Sequence, residues 1–232
     1  SRESFVSVEG EELEFEITRG GEYRVNGVSL GLVKGIKIEI DETINIKSDD
    51  ETEIKIGEDT YKIKEGNILL SDGKIIGGKF TGNGEVIIRR VKLLLSQVGV
   101  EIGDNILLRI AKPGELKIND LLLKVKEGLI ILDDEGNILK GSKFKTQKEA
   151  YNLRGYAVDL EENNEVEYLE DRVIVKVDSG FSPSVVGNSA SEGIIEIKTK
   201  GVGYLKLPEG NMQGIEYNNG PQDSSTGILY DG

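Results

Sequence analysis

Apolar and polar residues alternate along most of this chain. Within residues 36–46 isoleucine recurs at every second position apart from one polar interruption, and the same alternation returns in residues 53–63. A period of two is typical of strands that bury one face. Turn-forming residues interrupt the alternation at short intervals, at Ser48–Asp50, Gly57–Asp59, Glu65–Asn67 and Ser71–Gly73. We therefore predict an all-β protein of short strands, with Ile54, Ile56, Tyr61 and Ile63 facing the core.

This pattern occurs again further along the chain. Residues 36–66 align without a gap to residues 98–128, and ten of the 31 aligned positions are identical. Ordinary residue frequencies would give roughly two or three identities. A third, divergent copy follows, because residues 166–176 resemble 38–47 and residues 196–211 resemble 53–67. Three copies of about 62 residues predict a repeat architecture.

The copies follow one another without a linker, so we predict one continuous, pseudo-symmetric β body. Sandwich-like or barrel-like units and a β-solenoid both remain open. The predicted boundaries are an N-terminal strand segment, two regular repeats and a divergent third repeat, at residues 1–20, 21–83, 84–147 and 148–232. Residues 15–22 resemble residues 78–85 at the boundary of the first two repeats. The N-terminal segment is therefore expected to complete a repeat of this chain or to be donated to a neighbouring molecule.

The third copy contains a predicted insertion. A connection of five residues in the first two copies, at 48–52 and 110–114, becomes nineteen residues in the third, at 177–195. Long loops on rigid β frameworks often carry binding residues. Six of the eight tyrosines also lie in the third copy, residues 148–232, and tyrosine is enriched at interfaces. The predicted binding residues are Asp178, Phe181, Ser182, Ser184, Asn188 and Tyr204. The alternatives are an insertion without a role and tyrosines that pack in a core.

Composition restricts the chemistry. The chain contains neither histidine nor cysteine, so a Ser-His-Asp triad, a thiolate nucleophile and a Cys/His metal site are excluded. The net charge of −13 argues against nucleic acid as a partner, because phosphate is bound mainly by cationic side chains. No apolar run approaches the roughly 20 residues that span a bilayer, so membrane insertion is not expected.

Three motifs nevertheless invite a chemical interpretation. The acidic turns Asp49–Glu51, Asp133–Glu135 and Glu161–Glu162 offer ligands that Ca²⁺ prefers, but they lack EF-hand spacing. Arg89–Arg90 could be a basic pair of a polysaccharide lyase or a structural charge. Residues 77–84, "GGKFTGNG", resemble a phosphate loop but are predicted to form a turn. We expect no catalytic residue and no cofactor, with Ca²⁺ as the alternative.

These observations predict a non-enzymatic structural or interaction module of a cell-surface, extracellular or virion assembly. Its contacts, with a protein partner or a second copy, are expected through the third repeat and its inserted loop. A carbohydrate-binding or carbohydrate-cleaving β domain is the first alternative, and a cytoplasmic oligomeric repeat protein is the second.

Overall fold

A computed structural model describes residues 3–6, 12–177, 184–186, 194–196, 203–208, 215–219 and 228–229. These residues form strands joined by turns and contain no helix, which confirms the prediction of an all-β protein. No helix in these ranges is therefore long and apolar enough to cross a membrane.

The strands are short in the outer parts of the chain and long in its middle. In chain order they are β1 (Glu3–Val6), β2 (Leu13–Glu16), β3 (Gly21–Val25), β4 (Val28–Leu32), β5 (Lys37–Ile40), β6 (Ile44–Ser48), β7 (Thr52–Ile56), β8 (Asp59–Ser71), β9 (Lys74–Ile88), β10 (Val91–Ile102), β11 (Ile106–Ile110), β12 (Gly114–Ile118), β13 (Leu121–Leu132), β14 (Lys143–Thr146), β15 (Glu149–Leu153), β16 (Tyr156–Leu160), β17 (Glu165–Tyr168), β18 (Arg172–Val177), β19 (Ser184–Val186), β20 (Ile194–Glu196), β21 (Gly203–Pro208), β22 (Ile215–Asn219) and β23 (Ile228–Leu229).

The chain divides into two compact units. Unit 1 comprises Ser1–Arg109, Lys117–Asn119 and Leu132–Asn137, and unit 2 comprises Ile110–Leu116, Asp120–Ile131 and Ile138–Gly232. The predicted repeat boundaries differ from this division and remain a prediction, as does the number of repeats.

Unit 1 contains two antiparallel ladders that share three long strands. One ladder runs through β3, β4, β7 and the first half of β8, and the other runs through β2, β5, β6 and the second half of β8. Strand β9 pairs with β8 and with β10 along both of its halves, with register shifts between Lys62 and Asn67 of β8 and between Leu95 and Val98 of β10. The long strands therefore bend from one ladder into the other.

These bends correct two sequence predictions. Glu65–Asn67 lie inside β8, where Glu65 has a φ of 49°, so the predicted chain reversal at this point is wrong. Residues 77–84 likewise lie inside β9 and do not form a turn; Gly78 has a φ of 126° and Gly84 a φ of 89°. Positive φ redirects a strand without ending it when the neighbouring strands continue to pair on both sides.

The alternation of the first copy positions the core as predicted. Ile54, Ile56, Tyr61 and Ile63 are all buried, with Ile63 fully inaccessible. Burying an aliphatic side chain of this size contributes about 1.5–3 kcal/mol. The same local folding recurs in the second copy. In the alignment of 36–66 with 98–128, β6 and β7 coincide with β11 and β12 at both ends, and the first residue of β8 is aligned with the first residue of β13.

Unit 2 contains a longer antiparallel ladder and a small separate sheet. The ladder joins β13, β14, β17, β18, β21, β22 and β23 in that order. The small sheet consists of β15, β16, β19 and β20. Its first hairpin turns at Arg154 and Gly155, which both have positive φ, as a tight two-residue hairpin turn requires.

Candidate functional site

The predicted binding loop is partly strand. Ser184 begins β19, in which Val185 pairs with Val158 of β16, and β20 pairs with β19 in turn. Val185 is fully buried, whereas Ser184 is partly exposed. The predicted contact residues Asp178, Phe181, Ser182 and Asn188 lie outside the described residues. The structure therefore places Ser184 at the start of an inner strand of the small sheet and does not test the contact surface as a whole.

Tyr204 does not occupy the place that the sequence alignment gave it. The alignment equated it with Tyr61, which pairs with Ile54 and Gly82 and is 3% exposed. Tyr204 is partly exposed and pairs with Lys176 and Asn218. Strand β21 pairs with β18 along its length. Since residues 166–176 resemble residues 38–47, β18 corresponds to β6, and β6 pairs with the second half of β8, whereas Tyr61 lies in the first half. The short identity between "EIKTKGVGY" and "EIKIGEDTY" therefore does not reflect the strand pairing.

Phe144, Tyr151 and Tyr168 of unit 2 form a buried aromatic cluster. The ring of Phe144 lies 6.4 Å from that of Tyr151 and 6.5 Å from that of Tyr168. The guanidinium carbon of Arg154 lies 5.6 Å from the centre of the Tyr168 ring, and its Nη2 donates to the carbonyl of Leu169 at 2.8 Å. These aromatic residues are buried and offer no exposed face for stacking against a sugar.

The buried phenols are held in their neutral form. The Tyr151 hydroxyl accepts from the Gln147 amide at 2.7 Å and lies against the carbonyls of Lys124 and Gln147. Burial raises the pKa of Tyr151 to about 12, although the hydrogen bond from Gln147 acts in the opposite direction. Burial also raises the pKa of Tyr168. A phenol with a raised pKa is a poor general base near neutral pH, so this cluster is suited to packing and not to proton transfer.

The acidic turn at residues 133–137 is stabilised by hydrogen bonds among its own residues. The Asp133 carboxylate accepts hydrogen bonds from the amides of Glu135 and Asn137 and from the Asn137 side chain, each at 2.9 Å. Burial tends to raise the pKa of Asp133, but the hydrogen bonds from Asn137, Glu135 and Gly136 together lower it. The carboxylate thus satisfies the turn's own amides, which is the ordinary role of an aspartate in such a turn.

The basic pair Arg89–Arg90 beside this turn also forms local hydrogen bonds and ion pairs. Arg89 donates to Asp134 Oδ1 at 2.8 Å and to the carbonyls of Gly103 and Asp104, and Arg90 lies 3.7 Å from Glu135. Lys37 similarly pairs with Asp49, and Lys126 with Glu162. The part of the chain that the structure describes contains no cluster of three or more acidic side chains that could hold a metal ion.

The most distinctive feature of unit 1 is the outer edge of β2. This strand pairs with β5, and within the described ranges no strand pairs with its other edge. Leu13 is 39% exposed and Phe15 is partly exposed, whereas Ile17 at the end of the strand is buried. The resemblance of residues 15–22 to residues 78–85 predicted a strand here. It did not reveal which edge of that strand is open.

Comparison of the chain with protein-family models, with curated proteins and with solved structures finds no match.

Proposed function

We propose that this chain is a non-enzymatic structural or interaction module of a larger assembly, of the cell-surface, extracellular or virion type. The observation that supports the proposal most directly is the edge of β2 with which no strand of the described residues pairs. Open edges are templates for pairing with another chain. Two contact regions follow: the β2 edge, and the third repeat around Ser184 and Tyr204, which are both partly exposed.

The charged side chains of the sheets support a structural role. Lys143 of β14 lies 3.1 Å from Glu165 of β17, and Lys92 of β10 lies 3.1 Å from Glu85 of β9, so these charges pair across neighbouring strands. Such exposed pairs contribute about 0–1 kcal/mol each. They favour the correct strand register more than they add stability.

Site-specific photo-cross-linking in the native assembly tests the proposal. A photoreactive amino acid is placed in separate variants at Glu14, at Ser184 and at Glu51, an exposed turn residue that serves as the matched control. We expect a defined protein cross-link from Glu14 or Ser184, identified by mass spectrometry, and none from Glu51. Binding to immobilised glycans without any protein cross-link would contradict the proposal and favour the carbohydrate-binding alternative.

A further inference from the structure

Strands β2 and β9 hold the same position beside their partners. Phe15 pairs with Ile38 of β5, and Phe80 pairs with Val100 of β10. Ile38 and Val100 are aligned with each other in the first two copies of the repeat. The pairing therefore makes Phe15 the counterpart of Phe80, and it makes Glu16 the counterpart of Thr81.

The two strands differ in what lies on their other side. Strand β9 is flanked there by β8, with Lys62 opposite Thr81 and Tyr61 opposite Gly82. The Tyr61 and Phe80 rings meet edge to face at 5.7 Å, and Phe80 is 3% exposed. Strand β2 has no such neighbour in the described residues, which leaves Phe15 partly exposed and Leu13 39% exposed.

The hydrogen-bonding groups on this open edge can be identified. Ile17 donates its amide to Ile36 at 2.8 Å and accepts from Gly35 at 2.8 Å, so its backbone groups point toward β5. Hydrogen-bonding direction alternates along an antiparallel strand, and the β2–β5 register is continuous. The amides and carbonyls of Glu14 and Glu16 therefore point toward the open edge.

We infer that the outer edge of β2 accepts, from a separate polypeptide, an antiparallel strand of the β8 type, in which large apolar residues alternate with lysine. This inference rests on the proposed function and specifies one of its contacts. The pairing that places Lys62 opposite Thr81 would place the corresponding lysine opposite Glu16. Addition of a strand to an open edge is a common mode of peptide recognition, in which main-chain hydrogen bonds supply affinity and side chains supply specificity.

A second copy of β2 fits this edge less well. Two β2 strands pairing through their open edges would bring Glu14 and Glu16 of both chains together, and like charges in close pairs oppose strand association. A lysine-bearing strand instead repeats the charge pattern within the molecule, where Lys143 of β14 lies between Glu165 and Glu167 of β17.

The test uses a labelled peptide with the sequence of residues 59–71 and the whole chain. We expect saturable binding in fluorescence anisotropy and new hydrogen-exchange protection at the amides of Glu14 and Glu16. Glu14→Pro removes an outward amide without removing a bond to β5, so it should weaken binding at least tenfold. Glu14→Ala is the matched control and should weaken binding much less. A peptide with Lys62→Glu should bind several-fold more weakly, most clearly at low salt.

The outcomes separate this inference from the proposed function. Absent binding, equal binding by Glu14→Pro, or protection elsewhere would overturn the inference, while a cross-link from Ser184 would leave the proposed function intact. A dimer detected by light scattering without peptide and abolished by Glu14→Pro would identify a second copy as the occupant and would also overturn it. Hydrogen exchange of the unmodified chain with and without the peptide tests the inference even if the Glu14→Pro variant does not fold.

Discussion

Strands β9 and β2 show how much a second neighbouring strand increases the burial of side chains on two otherwise similar strands. Each carries an inward phenylalanine opposite an aliphatic residue of the next strand, Phe80 opposite Val100 and Phe15 opposite Ile38. Phe80 is almost completely buried, whereas Phe15 remains partly exposed. The alternating pattern of a strand therefore determines which side chains face inward, and the adjacent strand determines how well they are covered.

The two strands also differ two residues before the phenylalanine, at Gly78 of β9 and Leu13 of β2. Gly78 of β9 has a φ of 126°, and a Cβ placed on it would contact the backbone carbonyl of Asn67 in β8. The counterpart in β2 is Leu13, which carries a large side chain where no described strand lies alongside. The glycine of β9 is thus required by the close approach of β8 and not by the pairing with β10.

Truncating Phe80 should destabilise the protein far more than truncating Phe15. Phe80→Ala should lower the free energy of unfolding by about 3–5 kcal/mol, because it leaves a cavity in a fully packed site. Phe15→Ala should cost only about 1 kcal/mol, because that side chain is already partly in water. Urea unfolding followed by circular dichroism, with hydrogen exchange of β9 amides as a probe of unit 1, measures both. Equal losses in the two variants would contradict the difference in burial between these strands.

Gly78→Ala tests the close approach of β8 to β9 directly. We expect a loss of about 3 kcal/mol, since alanine is strained at this φ and its methyl group would be driven into the β8 backbone. Gly99→Ala in β10 is the matched control, because its Cβ would meet the nearest atoms of Arg109 at 3.5 Å, an ordinary contact. This control should stay within about 1 kcal/mol of the unmodified chain. Similar urea midpoints for the two variants would refute the role assigned to Gly78.

Sequence patterns were sufficient for the strands and insufficient for their connections. The alternation at Ile54, Ile56, Tyr61 and Ile63 correctly predicted an inward face, because a period of two follows from local backbone geometry. The sequence Glu65–Gly66–Asn67 has turn composition but lies inside β8. Whether such a segment reverses the chain or only bends it depends on strands paired on both sides, and those contacts are distant in sequence.

The candidate sites depended even more on long-range pairing. The sequence identity that equated Tyr204 with Tyr61 covered only a few residues. Tyr61 of β8 pairs with β7, the strand just before it, whereas Tyr204 of β21 pairs with β18. The sequence did not reveal that the edge at Glu14 and Glu16 is open. Whether another strand of the described residues pairs with this edge depends on contacts that are distant in sequence. The resemblance of residues 15–22 to 78–85 was the available signal, and the pairing of β2 with β5 now gives its structural basis.

A conservative change at Tyr61 is expected to alter stability least at neutral pH. Tyr61 covers Phe80, and no strand of the described residues takes that place beside Phe15. Burial, with a smaller contribution from Asp59, raises the pKa of Tyr61 to about 12, whereas an unfolded tyrosine titrates near 10. The folded state therefore holds this proton more tightly. Its contribution to stability is complete below about pH 10 and is lost as the pH rises toward about 12, by about 2–3 kcal/mol in total.

Tyr61→Phe keeps the ring against Phe80 and removes the ionisable hydroxyl. At neutral pH we expect its free energy of unfolding to lie within about 1 kcal/mol of that of the unmodified chain. Between about pH 10 and 12 the variant should lose less stability, so that the two curves of urea midpoint against pH diverge. Tyr151→Phe is the contrasting control, because it also removes the hydrogen bonds to Lys124 and Gln147 in unit 2 and should cost about 1 kcal/mol already at neutral pH. Parallel curves for Tyr61→Phe and the unmodified chain would show that Tyr61 is not the buried cover of Phe80 that distinguishes β9 from β2.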